Sequence, residues 1–147
     1  MAASFVKPWT TLLPPGVQVN PLIPTLDVLL VGASGQSQRE TFLVDSGADI
    51  SLAPRHLCEE LGLRWESGAH IELQGISPKP ECTVPARILD VELIVTDVGV
   101  AVMIPICFAD GDASQLLGRE GFFDCFLIEF DKLRLLTRFK LAEETPK

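Results

Sequence analysis

The stretch Phe42-Leu43-Val44-Asp45-Ser46-Gly47-Ala48-Asp49 is the most informative part of the sequence. An apolar run, predicted to be a strand over Thr41–Val44, delivers the Asp45 carboxylate into a turn of small residues. Ser46 offers a hydroxyl that can bond to backbone across an interface. Gly47 lacks a Cβ and therefore permits close approach of another chain. Asp, Ser and Gly are also common in ordinary turns, so on its own the segment fits a plain β-turn equally well.

A second informative run lies later in the chain. Leu116-Leu117-Gly118-Arg119 follows a polar loop and precedes Arg119–Phe126, which can form one or two helical turns. Taken alone, this order also fits a simple strand-to-helix junction. Between the two runs, His70–Gln74 and Glu81–Val84 flank the turn Gly75–Pro78 and predict a hairpin. This hairpin could fold over a cleft as a lid, or it could be an ordinary surface hairpin.

The rest of the chain consists of short apolar and β-branched runs separated by turn signals, which is typical of an all-β domain. Pro54–Leu61 predicts a short helix that Gly62 terminates. Further strands are predicted at Leu26–Val31, Ile50–Ala53, Ile88–Val95, Val98–Phe108, Leu127–Phe130 and Leu133–Phe139.

The two motifs together resemble those of a known family. Val44–Asp49 resembles the Asp-Ser/Thr-Gly-Ala-Asp signature of retropepsin-like aspartic proteases, and Leu116–Arg119 resembles the family's later hydrophobic-hydrophobic-Gly-Arg motif. The resemblance covers Leu22 to Phe139. It implies a small closed or orthogonal β-barrel of the acid-protease type with one or two short helices. The expected organisation is a proline-rich extended arm at 1–21, the protease domain at 22–141 and a tail at 142–147.

The resemblance also implies a function and a site. In that family one lobe supplies one aspartate, and no second Asp-Ser/Thr-Gly occurs in this chain. The expectation is therefore an aspartic endopeptidase that acts on peptides or proteins as a homodimer, through an Asp45–Asp45 pair and without a metal or cofactor. The implied site residues are Asp45 as the catalytic group, Ser46, Gly47 and Ala48 as loop support, Gly47, Asp49, Gly75 and Ile76 as substrate-binding groups, and Asp49 with Arg119 as an ion pair.

Two alternatives stay open at this point. The same fold could form a non-catalytic dimeric domain that binds peptides or serves as a scaffold, because a fold does not guarantee an activity. The chain could also be a monomer in which Asp45 is exposed and inert.

The composition of the chain argues against some classes of binding partner. The 147 residues are 47% hydrophobic and carry a net charge of −8, which argues against nucleic acid or an anionic membrane as the main partner. The first residues show no charged segment followed by an apolar core, and the longest apolar run, Val98–Ala109, is too short to span a bilayer. We therefore expect a cytoplasmic protein. Its four widely spaced cysteines predict free, mostly buried thiols.

Other reactive residues give weaker signals. His56, Cys58 and His70 do not have a zinc-type spacing, and neither histidine has an evident orienting partner. Asp110, Asp112 and Ser114 imitate the start of a calcium loop, but Gln115 replaces the required glycine and Gly121 stands where a bidentate glutamate is required. We therefore expect surface or core roles for these residues.

Overall fold

The computed structural model describes residues 3–11, 21–74 and 83–142. These residues fold mainly into strands, which confirms the predicted all-β class. The strands are β1 (Ser4–Pro8), β2 (Thr25–Val31), β3 (Ser37–Val44), β4 (Ser51–Pro54), β5 (Ala69–Gln74), β6 (Thr83–Val95), β7 (Val100–Ala109), β8 (Leu116–Leu117), β9 (Phe126–Asp131) and β10 (Leu136–Leu141). The helical segments are α1 (Arg55–Glu60), a 3-10 turn at Trp65–Ser67 and an irregular turn at Arg119–Phe123. No helix in the described ranges is long and apolar enough to cross a membrane.

The larger sheet closes into a barrel, as predicted. Its strands follow the order β2-β3-β8-β4-β7-β6-β5, and β2 also pairs with β6. This closing contact joins Leu29–Val31 of β2 to Glu92–Ile94 of β6. Because the ladder returns to β2, most backbone donors and acceptors of the ring are satisfied without an open edge. Strand β5 extends from β6 at the end of the sheet.

The barrel interior is filled by side chains that alternate along the strands. In β2, Leu26, Val28 and Leu30 are buried whereas Asp27 is exposed, which is the two-residue period of a strand with one face on a core. The largest fully buried side chains are Phe42, Phe108, Phe122, Phe139, Leu26, Leu30, Leu57, Leu61, Leu93, Ile104, Ile106 and Leu117. Truncating such a residue to alanine typically costs about 2–5 kcal/mol. The core thus provides a rigid base for the loops at the end of the barrel.

Part of the predicted N-terminal arm is a strand of a second sheet. Strands β1, β10 and β9 pair in that order, all antiparallel. Phe5 of β1 stacks on Phe139 with 4.7 Å between ring centroids and meets Phe126 edge-on at 6.1 Å. The arm is therefore extended over Ser4–Pro8 and packs against the core. The predicted domain boundary at residue 21 stays a prediction.

Helix α1 is one residue shorter at each end than Pro54–Leu61. Pro54 keeps an extended conformation (φ −76°, ψ 153°) because it still pairs with Ala109 in the β4–β7 ladder. Gly62 follows the helix with φ +72°, a conformation that glycine adopts without steric cost. The glycine stop was therefore correctly predicted.

The last hairpin has a longer turn than the sequence predicts. Strand β10 begins at Leu136 rather than Leu133, because Asp131 organises the residues that follow it. Its Oδ1 accepts the Arg134 backbone N–H at 3.0 Å and its Oδ2 accepts from the Arg134 guanidinium, also at 3.0 Å. These bonds, with the backbone bond the larger cause, lower the pKa of the Asp131 carboxyl.

Candidate active site

Strand β3 ends at the Asp45 turn, which we define as residues 45–50. The Asp45 backbone N–H donates to the Leu117 carbonyl at 2.9 Å, and the Ala48 N–H donates to the Asp45 carbonyl at 3.2 Å. The Asp45 carboxylate accepts the Gly47 N–H through Oδ1 at 2.8 Å. Asp45 is half-buried, whereas Ser46 and Gly47 are exposed. The turn therefore holds one carboxylate in a fixed orientation at the surface of the single chain.

The two sequence motifs meet because β8 lies between β3 and β4. Leu116 and Leu117 pair in parallel with Leu43 and Val44 of β3. On its other side, Leu116 pairs in antiparallel with Leu52 of β4. The chain leaves the sheet after β3, forms the Asp45 turn and returns as β4, so β8 fills the gap beneath that turn.

Gly118 allows the two segments to touch backbone to backbone. A Cβ at this position would lie 2.5 Å from the Ile50 carbonyl carbon, 2.6 Å from the Ile50 oxygen and 2.9 Å from the Ala48 oxygen. Real Cβ atoms do not approach backbone this closely. The Gly118 N–H is buried and donates to Ser51 Oγ at 3.0 Å. Glycine is thus required here for space.

Arg119 and Glu120 bind the outer side of the turn. Their backbone N–H groups donate to the Ala48 and Asp49 carbonyls, both at 2.9 Å. The Arg119 guanidinium donates to the Ser46 carbonyl at 3.0 Å and also contacts the Asp49 carboxylate. The Arg119 and Asp49 side chains are 54% and 88% exposed, so water screens this ion pair. The contact therefore shapes the turn more than it stabilises the protein.

A groove of about 280 Å³ runs beside the turn. It is lined by Ala48, Asp49, Ile50, Leu52, Leu73, Gln74, Cys107 and Leu116. Most of these side chains are apolar, while the carboxylate of Asp49 and the amide of Gln74 supply polar groups. Such a lining suits an apolar side chain whose backbone makes hydrogen bonds nearby. A larger groove of about 370 Å³ between β1 and β2 contains no residue of the Asp45 turn.

Strand β5 brings Leu73 and Gln74 to this groove. It pairs with β6 up to Gln74 opposite Thr83, so the predicted hairpin exists at its base. Gly75 and Ile76, predicted to lie at its tip, fall outside the described residues. Their substrate-binding role stays a prediction.

Several residues at the site were not predicted from the sequence. Ser51 and Gln115 lie close to the two motifs but outside them, and Cys107 lies far from both in sequence. Ser51 is fully buried beneath the turn, and the Gln115 side chain donates to the Thr41 carbonyl at 2.9 Å. A signal existed for Ser51, which is the only polar residue in the apolar run Ile50–Ala53. The groove position of Cys107 required the strand pairing.

The thiol and metal alternatives gain no support from the geometry. His56 pairs with Glu60 at 3.0 Å on the exposed side of α1, while Cys58 is buried on the other side. Burial, with a smaller effect of the Glu59 charge, raises the pKa of Cys58 to about 11, which keeps this thiol protonated at neutral pH. His70 lies on β5 beside Glu72. No three metal-ligating side chains cluster within the described ranges.

The sequence predicts free, mostly buried thiols, and the structure describes three of the four cysteines. Cys58, Cys107 and Cys125 are free, and burial raises the pKa of each thiol. Cys82 lies outside the described residues. The three described thiols therefore serve as apolar packing groups.

The fold is similar to that of solved aspartic proteases. A retropepsin-like aspartic protease from Rickettsia conorii aligns with 96% of this chain and 96% of its own, at a TM-score of 0.54 and 14% identity. The EIAV protease complexed with the inhibitor HBY-793 aligns with 73% of this chain and 88% of its own, at a TM-score of 0.45 and 21% identity. No family model and no curated protein matches the chain. Identities this low concern the fold alone, and the match to the Rickettsia protein extends over nearly the whole length of both chains. By its strand order, its closed barrel and this likeness, the chain has the retropepsin-like fold.

Proposed function

We propose that this chain is an aspartic endopeptidase that works as a homodimer, with Asp45 from each subunit forming the catalytic pair. The observation that carries the proposal is the Asp45 turn itself. One carboxylate is oriented by the Gly47 N–H at 2.8 Å, and Ala48, Asp49 and Ile50 of the same turn line a mostly apolar groove.

The need for a second copy follows from the chemistry. Hydrolysis by carboxylates alone uses one ionised and one protonated group, and the sequence contains one Asp-Ser-Gly. A two-fold axis beside Asp45 would bring two copies of the same turn together. Ser46 and Gly47 are exposed in the single chain and would face the partner there.

The mechanism then depends on two carboxylates that are a few ångströms apart. They cannot both ionise cheaply, so the pair shares one proton, and its titration belongs to the pair. The ionised carboxylate takes a proton from a water, which attacks the scissile carbonyl carbon. The protonated carboxyl donates its proton to the carbonyl oxygen, which gives a tetrahedral diol. The scissile C–N bond then breaks: the carboxyl that took the proton of the water passes it to the leaving nitrogen, and the other carboxylate takes a proton from a diol hydroxyl, so that the pair again shares one proton. No covalent enzyme intermediate forms, and the Ser46 hydroxyl is a structural group.

The substrate would be an extended peptide. The groove accommodates an apolar side chain against Ile50, Leu52 and Leu73. Exposed Gly47 and Asp49 offer backbone and carboxylate groups to the peptide main chain. Gly75 and Ile76, which lie outside the described residues, are included as substrate-binding groups on the resemblance alone.

The test is cleavage of a diverse peptide library at acidic to neutral pH, read by mass spectrometry. We expect the parent protein to cleave beside bulky apolar residues. Asp45→Asn should lower the rate by about 10⁴-fold or more, because neither carboxylate role can be filled. Asp90→Asn is the matched control, since Asp90 is an exposed carboxylate on β6 away from the turn.

Two results would contradict the proposal. One is an Asp45→Asn variant that cleaves as fast as the parent. The other is a parent protein that binds library peptides and releases them uncut at every pH, which would favour the peptide-binding alternative.

A further inference from the structure

Ser51 is buried directly beneath the Asp45 turn. It is completely inaccessible, and in the described part of the chain only Thr25 and Thr137 are likewise polar and buried. Its hydroxyl accepts the buried Gly118 N–H at 3.0 Å, a contact between residues 67 positions apart. A buried N–H without a partner is costly, so a side chain placed to satisfy it matters to the local structure.

This bond belongs to a series of hydrogen bonds between residues 117–120 and residues 45–51. Residues 117–120 make four successive hydrogen bonds, three of them to the Asp45 turn: the Leu117 carbonyl accepts the Asp45 N–H, and the N–H groups of Arg119 and Glu120 donate to the Ala48 and Asp49 carbonyls. The fourth contact, at Gly118, is the only one made to a side chain of β4. It fixes the end of the turn that lies furthest along the chain from Asp45.

Gly118 is tightly packed on the side of its missing Cβ, where a Cβ would be within 2.9 Å of three atoms of the Ile50 and Ala48 backbone. Its N–H points to the Ser51 hydroxyl. Without that hydroxyl the buried amide loses this partner, and we expect the two segments to shift to satisfy it, which would move Asp45 with them.

We propose that Ser51 is a positioning residue that sets the location of the Asp45 carboxylate through Gly118. It touches neither the carboxylate nor the groove. By binding the Gly118 N–H, its hydroxyl keeps residues 117–120 aligned with the Asp45 turn, so that the backbone hydrogen bonds between them can form. The effect on the turn is independent of the proposed protease activity, whereas the effect on catalysis rests on it.

The first test needs no activity. Amide hydrogen exchange of Asp45 and Arg119 should accelerate by about tenfold or more in Ser51→Ala, because both amides belong to the series of hydrogen bonds that the hydroxyl anchors. Ser51→Thr, which keeps the hydroxyl, should exchange like the parent. Thr137→Val is the control: Thr137 is equally buried and accepts the Trp9 indole N–H at 2.9 Å, but it lies in the other sheet. Should Ser51→Ala not fold, the nearly isosteric Ser51→Cys provides a weaker acceptor for the same measurement.

The second test is catalytic. In Ser51→Ala, kcat/KM for a cleaved peptide should fall by about tenfold or more, since small displacements of a catalytic group have large effects on rate. Ser51→Thr should restore it, and Thr137→Val should leave it unchanged even if that variant is less stable.

The outcomes separate the two proposals. Unchanged exchange of Asp45 and Arg119 in Ser51→Ala overturns the positioning role, whatever the activity. Faster exchange with unchanged kcat/KM also overturns it, because the turn then moves without consequence. If the parent protein shows no Asp45-dependent cleavage, the proposed function fails, and the exchange measurement alone decides whether Ser51 holds the turn.

Discussion

At the scale of single residues, two glycines of the site serve different purposes, and one substitution in each distinguishes them. A Cβ at Gly118 would meet Ile50 backbone atoms at 2.5 and 2.6 Å, whereas the nearest atom to a Cβ at Gly47 is Asp45 Oδ1 at 3.2 Å. Gly118→Ala should therefore lower the free energy of unfolding by about 1–3 kcal/mol or more, because backbone cannot move aside cheaply. Chemical denaturation would measure this loss.

Gly47→Ala is the matched comparison. Gly47 is exposed, so its substitution should change stability by less than about 1 kcal/mol. It should instead weaken peptide cleavage, because the new methyl group would lie 3.2 Å from Asp45 Oδ1 and would displace that carboxylate. Equal stability losses in the two variants would contradict the view that, of these two glycines, Gly118 alone packs against backbone.

The residues of the site differ in how far the sequence predicts them. The order of an apolar strand, an acid and three small residues made Asp45 a candidate, but only together with Leu116–Arg119 did it outweigh a plain β-turn. Ser51 and Leu73 reach the site only because β4 and β5 lie beside it, and that neighbourhood is a property of strand pairing. Periodicity predicts that a strand exists and which of its faces is buried, but it does not specify the partner strand.

At the scale of elements, the same limit applies to β8. Two apolar residues, Leu116 and Leu117, make a strand only because β3 and β4 leave a gap of the right width between them. Two residues are too few for a hydrophobic pattern to predict a strand. The long strands were predicted in part: Ile88–Val95 and Val98–Phe108 were expected, whereas β6 is one strand over Thr83–Val95 and β7 spans Val100–Ala109.

Substitutions in strand β1 test whether the N-terminal segment contributes to the stability of the fold. Phe5 stacks on Phe139 and meets Phe126 edge-on, whereas its neighbour Val6 points outward and is 52% exposed. Phe5→Ala should lower the free energy of unfolding by about 2 kcal/mol, through lost burial and ring contacts. Val6→Ala should change it by less than about 0.5 kcal/mol. Thermal or urea denaturation of both variants would show whether β1 belongs to the cooperative unit, and equal small effects would mean that it does not.

At the scale of the whole molecule, charge opposes the assembly that the proposed chemistry requires. Each subunit carries a net charge of −8, so two copies repel each other at long range. Added salt screens this repulsion over about 10 Å at 0.1 M. Dimer formation, and with it cleavage, should therefore strengthen with moderate salt. If the protein dimerises, short-range contacts between the two copies must therefore outweigh this repulsion.

Mixing active and inactive subunits tests the assembly and the shared site at once. Asp45→Asn subunits should exchange with parent subunits and form pairs that hold a single carboxylate, which cannot perform both roles. With parent protein held constant well above the dimer dissociation constant, an equal amount of the variant should lower peptide cleavage to about half, and a ninefold excess to about one tenth. Sedimentation must show that the variant still dimerises, and a reading taken before subunits exchange is the control. If cleavage stays constant at every ratio after exchange, each subunit acts alone, and the paired-carboxylate mechanism is wrong for this protein.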